Sequence, residues 1–270
     1  MRNTFFKSLR LLGLLLLPIG ATAQDTCVYL FSIPQNARFA TADHLANSYL
    51  LQGFELEKYD STGRLVTRYT NNRLGTPAFL DATNPLKLLL WYADFQTAVF
   101  LDRNLTELGS LNLTLLGLPA VRVIAAAADG NLWMYDEAST QLLKLSSGGE
   151  RLLESQPLNL AFPRRFSPTC LRDDGGQAVL LSDPNQGMAV FNPFAQLDKV
   201  LPIKHLTRFE VENGVLYFLE DDGIRVETWR GLSSKKISLP AFGQSESAMY
   251  WLAKRRLFRQ VAGGLEVFGF

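Results

Sequence analysis

A unit of short apolar runs, separated by polar or glycine-containing turns, recurs six times along this chain, and no other feature constrains the fold as tightly. The first copy holds runs at 49–53, 54–60 and 64–69, and the second at 87–94, 97–102 and 108–113. The third copy has 131–136, 141–145 and 151–153; the fourth has 177–183, 188–192 and 198–203; the fifth has 214–219, 224–229 and 235–239. Tyr59, Phe100, Leu145, Phe191, Trp229 and Phe268 close the equivalent run in each copy, about 40 residues apart. Most runs alternate in polarity or are rich in β-branched and aromatic residues, as half-buried strands require. Further runs at 121–127, 168–171, 206–211 and 247–252 precede the later copies, giving four strands per unit, the content of a propeller blade.

The sixth copy supplies only 250–252, 257–261 and 265–270 before the sequence stops. The apolar run 27–33 stands before the first copy with no other partner. Pairing it beside 265–270 would complete the last blade and remove an exposed sheet edge. The expected fold is therefore all-β: a six-bladed β-propeller of four-stranded antiparallel blades, the last closed by the N-terminal strand. An outer-membrane barrel is the rival for a β-rich chain ending in Phe270. Such barrels need strands of about 9–11 residues, whereas these runs are mostly 5 to 8 residues long. A helical reading of 105–127 is broken by Gly109, Gly117 and Pro119.

The N-terminus carries an export signal. Arg2, Lys7 and Arg10 precede the apolar run 11–19, and Ala21-Thr22-Ala23 fits a small-x-small cleavage site. Residues 1–23 are expected to be a signal peptide and 24–270 a single propeller domain, exported to the periplasm or associated with the outer membrane. No later stretch is long and apolar enough to predict a transmembrane helix. A formal net charge of +1 gives no global field for nucleic acid. Cys27 and Cys170 are the only cysteines. Two cysteines in an oxidising compartment suggest a bridge, but the repeat separates them, so two buried thiols are favoured.

Tyr92-Ala-Asp94 followed by Val99-Phe-Leu-Asp102, Tyr135-Asp136 followed by 142–145, and Ser182-Asp183 followed by Val190-Phe-Asn192 resemble the second-to-third-strand signature of NHL-type, TolB-like propellers. The resemblance covers the second, third and fourth units. The first and fifth depart from it, with Gln52-Gly53 and Glu220-Asp221 at that place. It implies a binding scaffold more often than an enzyme.

Asp94, Asp136 and Asp183 are read as equivalent blade positions. They are weak candidates for a cation ring of the kind used by calcium-dependent lactonase-like hydrolases; the alternative is a repeated turn in which each carboxylate accepts backbone N–H groups. No metal or other cofactor is expected. His44 and His205 fall in no metal or triad pattern and are expected in packing or rim positions. Trp91, Trp133, Trp229 and Trp251 admit a carbohydrate-binding reading but fit packing between blades better. Lys235-Lys236 and Lys254-Arg255-Arg256 read as solvated turns. The expected interaction face rests on long loops: 80–86 with Asn84-Pro85, 71–75 with Asn71, Asn72 and Arg73, and Arg164-Arg165 between the third and fourth units. The functional expectation is a monomeric, non-catalytic scaffold binding another cell-envelope protein. A lactonase-like hydrolase and a carbohydrate-binding propeller are the alternatives.

Overall fold

The computed structural model describes residues 26–220, 223–231, 233–240 and 249–270. The segment read as a signal peptide lies outside these residues. Strand β1 (Val28–Ile33) comes first, followed by blade one: β2 (Phe39–Ala42), β3 (Ser48–Gln52), β4 (Glu55–Tyr59) and β5 (Leu65–Thr70). Blade two is β6 (Phe79–Asp81), β7 (Leu88–Tyr92), β8 (Thr97–Leu101) and β9 (Glu107–Asn112). Blade three is β10 (Val121–Ala126), β11 (Leu132–Asp136), β12 (Gln141–Leu145) and β13 (Arg151–Glu154). Blade four is β14 (Cys170–Asp173), β15 (Val179–Asp183), β16 (Gly187–Phe191) and β17 (Leu197–Leu201). Blade five is β18 (Glu210–Glu212), β19 (Val215–Glu220), β20 (Gly223–Thr228) and β21 (Ser234–Ser238). Blade six takes β22 (Tyr250–Ala253), β23 (Arg256–Val261) and β24 (Gly264–Gly269), with β1 beyond β24. The fold is the six-bladed propeller, and β1 pairs antiparallel with β24, Ile33 opposite Leu265 and Val28 opposite Gly269. Two one-turn 3-10 helices, Thr114–Leu116 and Leu158–Leu160, lie in connections between blades.

The second and third strands of blades one to four are largely buried on both faces, because each sheet is stacked between two others. In β7, Leu88, Leu90 and Tyr92 pack toward blade one while Leu89 and Trp91 pack toward blade three. The period of two along a strand sends alternate side chains to opposite neighbours. β11 repeats this, with Leu132 and Met134 toward blade two and Trp133 and Tyr135 toward blade four. Such strands read as continuous apolar runs, whereas fourth strands such as β5 and β17 alternate with solvent. The hydrophobic core is thus a ring of inter-blade layers. All four tryptophans sit in these layers.

Three expectations need correction. Lys235 and Lys236, read as turn residues, lie within strand β21 and pair with Val226 and Arg225. Leu80 and Asp81 are not loop: Leu80 is buried and pairs with Leu90 as part of β6, and only 82–87 forms the turn. Arg256 is not a solvated turn residue either. It starts β23, is buried, and donates to Ser48 Oγ at 3.0 Å, tying blade six to blade one. Cys27 precedes the outermost strand of blade six and Cys170 begins the innermost strand of blade four; both are buried thiols. Among the described residues, no helix is long and apolar enough to cross a membrane.

Strand order fixes the two rims. All first strands run the same way, so turns between strands two and three share one rim with the connections between blades. Turns between strands one and two, and between three and four, occupy the opposite rim.

Candidate functional site

The expected interaction residues divide between the rims. Asn71, Asn72 and Arg73 lie in the connection from β5 to β6, and Arg164 and Arg165 in that from β13 to β14, all on the inter-blade rim. Asn84 lies on the opposite rim, where its side-chain oxygen accepts from Leu86 N at 3.0 Å within its own turn. A single face containing all six residues is therefore excluded by strand direction.

The Arg164-Arg165 loop is held from both sides. Phe162 and Phe166 are buried, with ring centroids 4.4 Å apart, and Tyr135 Oη donates to Phe166 O at 3.0 Å. Gln186 receives Arg164 N at 3.2 Å and donates to Arg165 O at 2.8 Å. Asp183 Oδ2 accepts from Ser167 N at 2.7 Å. The two arginines project between these anchors and are exposed. The Asn71 loop is looser: Asn71 caps Arg73 N at 3.0 Å, and Asn72 and Arg73 are exposed.

The three aspartates do not form an equivalent set. Asp136 and Asp183 end β11 and β15, but the corresponding residue of β7 is Tyr92, and Asp94 lies two residues further on, exposed. Asp136 accepts from Ser139 N at 2.9 Å, and Asp183 accepts from Asn185 N at 2.8 Å besides Ser167 N. Their oxygens serve turns. Among the described residues no three His, Cys, Asp or Glu side chains converge as metal ligands. His44 and His205 are exposed on opposite rims.

The described residues of the two rims differ in charge. Among the described residues, turns and connections of the inter-blade rim carry Arg38, Arg73, Arg164, Arg165, Lys204 and Arg208 against Asp94 and Glu137. On the opposite rim Arg64, Lys87, Arg103, Arg230, Lys254 and Arg255 face Asp43, Asp60, Asp102, Asp129, Glu150 and Asp174. The inter-blade rim also exposes Phe54, Phe95, Leu115, Leu160 and Met249, with Leu115 85% and Leu160 77% exposed.

Arginines absent from the sequence reading line the channel below this rim. Arg38 and Arg208 stand just before β2 and β18, Arg122 on β10 and Arg172 on β14, all on innermost strands or their leads. Arg122 pairs with Glu137 at 2.9 Å and donates to Pro168 O at 2.8 Å. Arg172, its side chain 12% exposed, takes Glu210 Oε1 through Nη2 at 2.8 Å and Nε at 3.2 Å, and lies 4.9 Å from the Phe79 ring centroid. Arg208 lies 5.4 Å from the Phe39 ring centroid. Desolvation foremost lowers the Arg208 pKa; like charge on Arg172 and Arg38 adds to this, against an opposing contribution from Cys170. Two cavities of about 130 and 180 Å³ share Phe39, Arg172 and Arg208 as walls. The repeated dipeptides Arg38-Phe39 and Arg208-Phe209 are the one sequence signal for this set.

Comparison with known proteins places the fold among solved propellers. A catalytically inactive virginiamycin B lyase from Staphylococcus aureus, solved with quinupristin, matches at a TM-score of 0.61 and 11% identity, covering 92% of this chain and 97% of that one. The Pan2 WD40 domain of Neurospora crassa matches at 0.61 and 8% identity, covering 91% and 96%. A streptogramin B lyase matches at 0.53 and 14% identity, covering 83% and 76%. No family model and no curated protein matches the sequence. What these neighbours share with this chain is the fold.

Proposed function

We propose that this chain is an exported, non-catalytic propeller that binds another cell-envelope protein through its inter-blade rim. The observation that carries this reading is the coincidence, on one rim, of exposed Phe54, Phe95, Leu115 and Leu160 with exposed Arg73, Arg164 and Arg165. Aromatic residues and arginine are enriched in protein interfaces, and they dominate binding hot spots. Scattered apolar residues alone would carry no such meaning, but among the described residues they share a rim with the exposed Arg73, Arg164 and Arg165. The n-region, apolar run and Ala21-Thr22-Ala23 site support export, with Gln24 as the mature N-terminus. The likeness to NHL-type propellers supports a scaffold role.

Site-specific photo-crosslinking in intact cells tests the proposal. Crosslinkers at Phe95, Leu115 and Leu160 are expected to trap one discrete protein species, while crosslinkers at Leu86 and Phe194 on the opposite rim trap none. Equal trapping from both rims, or none from the inter-blade rim, would overturn it. Recovery of the chain in the cytosolic fraction with residues 1–23 intact would overturn the export part.

A further inference from the structure

We propose that the channel arginines Arg38, Arg172 and Arg208 form a binding site for a carboxylate group carried on an apolar body. This does not rest on the protein-binding reading of the rim: it stands on a cavity and a charge imbalance inside the ring.

Among the described residues Glu210 is the one carboxylate that hydrogen-bonds any of these three guanidinium groups. Glu210 is bound through two nitrogens of Arg172, and Arg122 has its own partner in Glu137. Arg38 donates to the carbonyl oxygen of Pro77, a neutral acceptor. Arg208 makes no hydrogen bond to any described residue; its one contact of note is the face of Phe39. Arg38 and Arg208 are exposed to the channel, so like charges stand close together there with Arg208 donors free for an incoming acceptor. Nothing in the packing of β18 requires arginine at this position, because Arg208 precedes the strand and opens onto the channel. Arginines that line a cavity with donors left free by the protein are a candidate binding site.

The walls define the ligand. A guanidinium presents a planar fork of donors that matches the two oxygens of a carboxylate. Phe39 and Phe79, in edge contact with centroids 5.4 Å apart, stand beneath Arg208 and Arg172 and leave the cavities apolar on that side. Trp251 lines one cavity and Trp91 the other, and Trp91 Nε1 has no acceptor among the described residues. Volumes of about 130 and 180 Å³ suit a body of side-chain size. An inorganic phosphate would meet the charge but leave the aromatic walls without a partner.

Trp91 and Trp251 provide the readout. The purified chain is titrated at low salt with 3-phenylpropionate, its neutral amide 3-phenylpropionamide, and inorganic phosphate, following tryptophan fluorescence and heat. In a second arm the carboxylate is presented as the glutamate side chain of the blocked dipeptide acetyl-Phe-Glu-amide, with acetyl-Phe-Gln-amide as control. Saturable binding of either carboxylate, lost in its amide partner and weakened at least about tenfold by Arg208→Gln, is expected. If the free acid binds tighter, the natural source is a small molecule; if the peptide does, it is a protein side chain. Arg208→Gln is expected to melt at or above the wild-type temperature because a repulsion is removed; if it does not fold, Arg38→Gln serves instead. No saturable binding of either carboxylate, equal binding of the amides or of phosphate, or unchanged affinity in the folded variant would overturn the proposal.

Discussion

Asp183 accepts four hydrogen bonds at the end of β15, from Ser167 N, Asn185 N, Gln186 N and Gln186 Nε2, and so fixes both its own turn and the loop that presents Arg164 and Arg165. Removing it leaves half-buried backbone donors of Ser167 and Gln186 without this acceptor, at roughly 1–3 kcal/mol. Asp183→Ala is therefore expected to lower the thermal midpoint by several degrees, whereas Asp94→Ala stays within about 0.5 kcal/mol of wild type. Millimolar calcium is expected to leave both midpoints unchanged, measured by calorimetric melts; a calcium-dependent rise in wild type lost in both variants would restore the cation-ring reading. The sequence made these aspartates look alike because each lies one or two residues after an aromatic or serine near a turn. Only pairing register separates them: β15 ends at Asp183 opposite Gly187, while β7 ends at Tyr92 opposite Thr97. Burial also governs the thiols. It pushes the pKa of Cys27 and Cys170 up, and a protonated thiol is a poor nucleophile. Neither is expected to react with iodoacetamide at neutral pH in the folded protein, and both should react in guanidinium. Mass spectrometry after labelling reads this directly, and native modification of Cys170 would contradict its place inside β14.

Strands two and three were the most legible elements, since burial on both faces writes several of them as dense apolar runs: β7 reads Leu-Leu-Leu-Trp-Tyr and β8 Thr-Ala-Val-Phe-Leu. The innermost strands were harder to read. β6 has three residues and β2 four, too short for a period to register, and arginines interrupt the apolar pattern of others to face the channel. The channel set was hidden for the same reason: Arg172 and Arg208 look like surface residues until the ring brings their strands together. Third strands also start with a feature that sequence alone does not explain. Gly264 opens β24 where a Cβ would lie 2.5 Å from Ile33 O, and Gly187 opens β16 where one would lie 2.6 Å from Leu201 O. In both blades the third strand meets the carbonyl at the end of the fourth strand without room for a side chain. Gly264→Ala is expected to cost roughly 1–3 kcal/mol, the usual penalty of forcing backbone apart in a packed region. Gly53→Ala, where nothing lies within 4 Å, is limited to the cost of its positive φ. Urea melts compare the two, and equal losses would mean that the close approach at Ile33 O relaxes freely.

A ring of blades is stable only when its last sheet meets its first, because every inter-blade layer is shared by two sheets. Here that closure is made by the chain's own ends. β1 pairs along β24, Thr26 bridges to Ser238 in blade five, and Ile33 joins the core cluster that runs from blade six through blade one to blade two. Ala37 N donates to Gln260 Oε1 at 2.7 Å, and Gln260 Nε2 donates to Asn36 Oδ1 at 2.7 Å, so the connection leaving β1 is also held to blade six. Arg256 reaches Ser48 across the same seam. Deleting residues 24–34 removes few side chains from the core, yet it strips the edge of β24 and exposes its backbone donors and acceptors to pairing with other chains. The expected loss thus exceeds what the deleted apolar surface would predict: a thermal midpoint lowered by more than 10 °C, on the order of several kcal/mol for a domain of this size, with concentration-dependent association. Supplying the segment as a free peptide should restore part of the midpoint, since the vacated edge is a template of defined register. Analytical ultracentrifugation and melts of the deletion variant, with and without peptide, test this. An unchanged midpoint in a monomeric variant would mean that blade six holds its place with three strands and that the seam lies elsewhere in the ring.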